Sequence, residues 1–451
     1  MKKYIIGLVC LVLLSSCKKD KLPDNGGGSD VVGQPTLITN PNTNMTRYST
    51  KLSGSIIDTG YSEIIEAGFV IDTTPSPTVL NNLRKFIRDP DQNGLMVIVI
   101  QNFSANTTYY FRCYATNEQG TGYGNEIQFT TLSQNIFNGD VTLTTQQEVE
   151  EFGQAKYTTI DGTLEISGSV TDLSPLKNLA IINYAFNLRY TSQLTTIKGM
   201  DSLEVVNASY FFHGIRIDNN KSLRSLEGLE KLTGNNGYLY IINNDELTDL
   251  NGLNNLSYNH FGELRIEGCD KLINLHGLEE FQWLDGDIMI KDNPVLEDIS
   301  AFGNLNFITG RIRIKNNTSL QSGDGFKSLH KAEGIEVYGN TMLSNLKVFS
   351  SLDTVTLGIT LINNSALTDL SGLEKLKTCQ GFDIEYCPSL RSLKGLENLA
   401  NAGGGISIKN NQMLNDFCPL KPLLQTGWNG ELVIIGNEVN PTATEIINSC
   451  P

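Results

Sequence analysis

From Gly214 to Leu232 the chain reads GIRIDNNKSLRSLEGLEKL, with apolar residues at Ile215, Ile217, Leu223, Leu226, Leu229 and Leu232. The string restarts at Leu239, Leu264, Ile288, Ile312, Ile335, Ile359, Phe382 and Ile406, at intervals of 23 to 25 residues. Its general form is I-x-I-x-x-N-x-x-L-x-x-L-x-G-L-x-x-L. The first piece has period 2, which predicts a short strand with two side chains turned inward. The later leucines fall three apart and fit one wall of a tight bend. A unit this small cannot bury both faces alone, so successive coils must stack and share hydrogen bonds and core. Twelve such strands are predicted, starting near Leu164, Phe186, Ile215, Leu239, Leu264, Ile288, Ile312, Ile335, Ile359, Phe382, Ile406 and Leu432. Val141 to Gly153 offers a strand and a polar helix suited to an N-terminal cap. Two irregularities stand out: an insertion around Asn207 to Phe212, and Gly323 where other coils carry Leu, which predicts a thinner core.

One polar position recurs inside this apolar frame. It is Asn220, Asn244, Cys269, Asn293, Asn317, Asn340, Asn364, Cys387, Asn411 and Asn437. An amide on the inside of a turn can serve backbone groups of its own and neighbouring coils, so the column predicts a structural ladder. A thiol is small and a weak donor, so Cys269 and Cys387 are expected as buried ladder members rather than metal or redox groups.

These coils resemble leucine-rich repeats, whose consensus L-x-x-L-x-L-x-x-N/C-x-L shares the strand followed by Asn or Cys. The period and the "LEGLEKL" and "SGLEKL" segments are still more similar to the receptor L-domain. That resemblance implies a right-handed, leucine-rich β-helix over residues 139–451. Both families imply a binding scaffold, and neither brings catalytic residues.

The chain opens MKKYIIGLVCLVLLSSC: two lysines, an apolar core from Tyr4 to Leu14, and Leu14-Ser15-Ser16-Cys17. The apolar run is too short to span a membrane and reads as a secretory signal over residues 1–16. The last four residues resemble a bacterial lipobox, which implies a lipidated Cys17 as membrane anchor. Lys18 rather than Asp after it resembles lipoproteins sent to the outer membrane of a Gram-negative cell, and the charged start to Asp20 is similar to that of surface-exposed ones. Residues 17–33, with three glycines in a row, read as a flexible tether. Over residues 34–133, β-branched and aromatic residues alternate with polar ones between turn signals, which predicts an antiparallel β-sandwich. The segment from Asn106 to Thr131 resembles a fibronectin type III module, through Tyr109, Tyr110, Arg112, Tyr114, Ala115, Asn117, Gly120 and the closing Phe129-Thr130-Thr131. Cys113 reads as a packed thiol. Asp89 to Gly94 mimics the front half of a calcium loop, but Ile100 stands where a bidentate Glu is needed, so a hairpin turn is the better reading. The whole chain is therefore expected to be mainly β: a sandwich followed by a solenoid.

A net charge of −15 makes the chain a poor binder of phosphate backbones, so nucleic acid is not an expected partner. His213, His260, His276 and His330 share no metal-ligand spacing and sit in no nucleophile motif. No cofactor is expected. A β-helix polysaccharide lyase is the enzyme alternative, but it needs carboxylates on adjacent strands, and Glu267 and Asp383 lie five coils apart. The expectation is a non-enzyme. The outward strand positions are the better lead. Arg265, Lys291, Arg313 and Lys315 should cluster within three coils, flanked by Tyr240, Met289 and Tyr338. Such a patch could hold an anionic or sugar-like ligand; the alternative is a solvated sheet face. At the C-terminal end, Cys418 and Cys450 could close the cap as a disulfide in an oxidising space, and Cys379 has no evident partner. The combined reading is a lipid-anchored envelope protein that captures or adheres to an extracellular protein or glycan. Alternatives are a glycan-binding accessory of nutrient uptake and a spacer without a specific ligand.

Overall fold

The period-2 strand signals become strands throughout the computed structural model of the protein. It describes residues 32–450 apart from 44, 46–48, 102, 209–212, 257, 260, 261, 322, 427 and 429. Cys17, the proposed anchor, and His260 lie outside the described residues. The chain divides between Ser133 and Gln134 into two compact units. Among the described residues no helix is long and apolar enough to cross a membrane.

In the first unit, strands Thr36–Thr43, Thr50–Asp58 and Leu95–Ile100 form one antiparallel sheet. Arg84–Ile87, Glu66–Asp72, Thr108–Asn117, Gly120–Tyr123 and Ile127–Thr130 form another. Inward residues of both, among them Leu52, Phe69, Met96 and Phe111, share one core. Cys113 is buried there, its Sγ 3.4 Å from Thr39 Oγ1. Asp91 does build a turn, its Oδ1 accepting from the amides of Asn93 and Leu95. The strands on either side belong to different sheets, so it joins layers and is not the hairpin turn that composition predicts.

The second unit is a β-solenoid. Val141–Leu143 begins a parallel sheet that runs coil by coil to Leu432–Ile435, and the helix Gln146–Gln154 follows that first strand as expected of a cap. The pairing is in register: Ile215 lies beside Leu239, Leu264 beside Ile288, Ile288 beside Ile312. The expected onset at Gly139 falls just after a short strand, Ile136–Asn138. That strand starts a second parallel row with Thr159–Asp161, Ile181–Ile182, Val205–Val206, Gly234–Asn235 and their successors. Strands of two residues carry no readable period, which is why sequence pattern missed this row. One continuous hydrophobic core runs from Val141 to Ile446.

Two turns close each coil. The residue before the ladder position is left-handed: Asn219, Asn243, Asp292, Asn316, Asn363 and Asn410 have φ of 52–57°. Gly, Asn and Asp tolerate that conformation best, and Tyr190 and Tyr386 adopt it in the same slot at φ of 56° and 55°. At the second turn Gly252 has φ +114°, and a Cβ there would lie 2.2 Å from the Leu226 carbonyl oxygen of the preceding coil. Coils with another residue in that slot turn through a 3-10 helix instead, as at Ser300–Asn304 and Lys347–Phe349. Gly323 does not thin the core: it is exposed, and Phe326 stacks between Phe302 and Phe349 at ring centroid distances of 5.2 and 5.6 Å.

Candidate interaction face and the ladder behind it

The side chains that hold the coils are on the inside. Asn317 is fully buried, and its Nδ2 donates to the Ile290 carbonyl of the preceding coil at 3.0 Å. Its Oδ1 accepts from the Asn293 amide and from Asn293 Nδ2, at 3.2 and 3.1 Å. Asn244, Asn293, Asn340, Asn364 and Asn411 repeat the donor bond to the coil before. Asn220 donates likewise to Leu188 and accepts from Thr191, which starts the ladder. At the other end Asn437 is met by Asn440, which folds back to take its amide proton. Thr191 and Asn440 escaped sequence reading because neither is at the repeat position with the repeat residue. Cys269 and Cys387 hold their slots with thiols 3.6 Å from the Glu267 and Glu385 carbonyls. Burial pushes these thiols up to about 12 and about 11, so both stay protonated donors.

The outward columns face the other way. The sheet brings Arg265, Lys291, Arg313 and Lys315 together, with Met289 in register between Arg265 and Arg313. It also brings a carboxylate to each. Arg265 meets Glu263 at 3.3 Å and Glu267 at 3.7 Å. Lys291 meets Glu267 at 2.9 Å and Asp292 at 2.8 Å. Arg313 meets Asp287 at 2.7 Å and Glu336 at 3.3 Å, and Lys315 meets Glu336 at 2.6 Å. The expected basic patch is thus a mesh of ion pairs. The correction has a simple cause. Tyr238, Glu263, Asp287 and Arg311 stand just before the first inward residue of their coils and form a third outward column. The two outward columns within the strands do not contain these partners; the third column lies one residue earlier at the same spacing.

Burial raises the Glu336 carboxyl, but Lys315 and Arg313 outweigh it and hold the group below the ordinary carboxylate range. The hydrogen bonds to Asp292 and Glu267 keep the Lys291 ammonium above its usual value. Toward the N-terminal coils the face is aromatic. The Tyr238 and Tyr240 rings stack at 4.3 Å, with the Arg216 and Arg265 guanidinium carbons 5.9 and 5.5 Å from the Tyr240 ring. The Tyr240 hydroxyl donates to Glu263 at 3.0 Å, and burial together with that carboxylate pushes its pKa up to about 12. Tyr338 is exposed on the other flank, its hydroxyl accepting from Asn363 Nδ2. Beyond it the character changes. Gly334, Gly358, Gly381 and Gly405 occupy the third column in four successive coils, beside the short side chains of Thr360, Asp383 and Ser407.

The remaining sequence candidates separate. Cys418 and Cys450 are bonded, with Cα atoms 5.3 Å apart, and tie the last coil to the C-terminal helix Ala443–Ser449. Cys379 is buried and donates to the Gly381 carbonyl. His276 and His330 are exposed, 2.7 and 3.7 Å from Glu279 and Asp353. Among the described residues no group of three His, Cys, Asp or Glu side chains is placed to share a metal ion.

Comparison with known proteins adds little to this geometry. No protein family matches the chain, and no curated protein does. Among solved structures, the sensor domain of the anti-sigma factor RsgI4 from Pseudobacteroides cellulosolvens is 18% identical over 23% of this chain and 98% of that one, with a TM-score of 0.18.

Proposed function

We propose that this chain is a lipid-anchored binding protein of the cell envelope, tethered through Cys17 at the outer membrane, that captures an extracellular protein. The supporting observation is the outer sheet face: three in-register columns of mixed charged, aromatic and small residues, fixed from behind by the asparagine ladder. A broad face with paired charges suits a protein partner, because complementary charges set register and on-rate while exposed rings supply contact area. It suits a polyanion poorly, since each cation already has a carboxylate. The Tyr238–Tyr240 stack favours a second reading, glycan binding in service of nutrient uptake. We read the chain as non-catalytic, because Arg265, Lys291, Arg313 and Lys315 are each paired with carboxylates instead of being held apart for chemistry. In the same reading the first unit is a fibronectin type III-like spacer, and the solenoid is a relative of the leucine-rich repeat and receptor L-domain scaffolds.

The test is a screen of the full chain against protein and glycan arrays, repeated with Tyr240→Ala/Arg313→Ala. A saturable protein ligand lost in the double variant supports the reading. Glycan-only binding transfers it to the second reading, and equal binding by both proteins overturns the face as the site.

A further inference from the structure

The two ends of the solenoid are finished differently. At the N-terminal end the inward residues Val141 and Leu143 are 6% and 4% exposed, and the helix Gln146–Gln154 follows with Val149 fully buried. At the C-terminal end the helix Ala443–Ser449 buries Ile446, and Trp428 donates its ring N–H to the Ala402 carbonyl. The last strand is only partly covered by that closure. Leu432 and Ile434 occupy inward positions yet stay partly exposed, whereas Ile406 and Ile408 beside them are 2% and 0% exposed; Ile435 is 61% exposed.

The backbone tells the same story. The Glu431 and Ile435 carbonyls accept from the Ile406 and Asn410 amides at 2.8 and 2.9 Å. Residues 431, 433 and 435 therefore turn their backbone groups toward the neighbouring strand, and alternation turns those of Leu432 and Ile434 outward. Among the described residues no backbone hydrogen bond reaches Leu432 or Ile434 from the far side. An apolar edge with free N–H and C=O groups is a template for another strand even when, as here, it spans 4 residues.

We infer that this edge is a self-association surface at which a second copy of the chain pairs antiparallel through Leu432–Ile435. The sequence Glu431-Leu432-Val433-Ile434-Ile435 is self-complementary about a two-fold axis at Val433. Leu432 then faces Ile434 of the second copy, Val433 faces Val433, and Glu431 faces Ile435, so no like charges meet. The symmetry closes, because both free edges are consumed. Head-to-tail stacking would instead use the Val141–Leu143 end, whose inward residues are already covered.

Sedimentation of the full chain over a concentration series should give a monomer–dimer equilibrium. Val433→Lys sets two ammonium groups against each other at the axis, on the outer face and clear of the core. It should weaken dimerisation at least tenfold while leaving unchanged the Tm measured at concentrations where the wild type is monomeric. Val433→Cys provides the positional test. Residues facing each other outside the hydrogen-bonded pairs have Cα atoms about 4.5 Å apart, within the disulfide range. Mild oxidation should give a covalent dimer, whereas Thr142→Cys at the opposite end should not. Cys113, Cys269, Cys379 and Cys387 are buried and do not compete; wild type treated alike reports any background from Cys10 and Cys17. A chain monomeric at all concentrations, a series of larger species, an unweakened Val433→Lys dimer, or no Val433→Cys cross-link would each overturn the inference.

Discussion

The ladder column inside the turns and the charged columns outside the sheet are both polar and both recur along the coils, yet they do opposite work. Asn317 on the inside is sealed from water, and each of its polar atoms meets a group of the preceding or following coil. Arg313 on the outside keeps 18% of its side-chain surface, and its partners Asp287 and Glu336 keep more. A buried polar group that loses its partner costs far more than the bond was worth, whereas an exposed pair that breaks is resolvated. The inner column therefore holds the fold, and the outer column can vary without unfolding it.

The comparison breaks hardest at Asn317→Leu. It strands the Asn293 amide, Asn293 Nδ2 and the Ile290 carbonyl, and should cost about 3–5 kcal/mol at roughly 1–3 for each orphaned group, less whatever relaxation recovers. Denaturant unfolding measures it. Reducing Cys418–Cys450 comes next. It releases a loop of sequence separation 32 in the unfolded chain and should cost about 3.5 kcal/mol, seen as a lower Tm in reductant. Asn317→Cys places in this slot the residue that coils Leu264 and Phe382 already use, and should cost about 1 kcal/mol. A loss as large as that of the Leu variant would show that a thiol cannot serve the ladder. Arg313→Met, on the outer column, should change stability by less than about 1 kcal/mol.

The smallest effect is a pH dependence. The Glu336 carboxyl is held below its unfolded value, so its pairing stabilises the fold above the unfolded pKa of about 4.3 and is lost as pH falls through the lower folded value. Wild type should melt slightly above Glu336→Gln at pH 7, and the gap should close once the pH has fallen below the folded value. A gap that persists in acid would place the stabilisation in packing.

Much of the solenoid was legible because its signal is redundant. Ile215 and Ile217 recur in every coil, and errors in one are corrected by the next. The ladder was legible for the same reason, through Asn at a fixed phase. The ends were not: Thr191 and Asn440 do their work once, and Cys418 meets Cys450 only because the chain folds back on itself. The second row of strands was hidden by its brevity. The face was half legible: the cations were identifiable, but their neutralisation was not, because Arg313 meets Asp287 and Glu336 across coils 26 and 23 residues away in the chain.

The sequence by itself determined the coil: its length, which side chains turn inward, and which polar residue stands at the turn, because those follow from short-range periodicity and burial. Only the tertiary structure decided what the coils do to one another. Stacking at about 4.8 Å brings residues of different coils side by side, converting a list of cations into a balanced mesh and leaving the inward residues of the first strand buried and those of the last partly exposed.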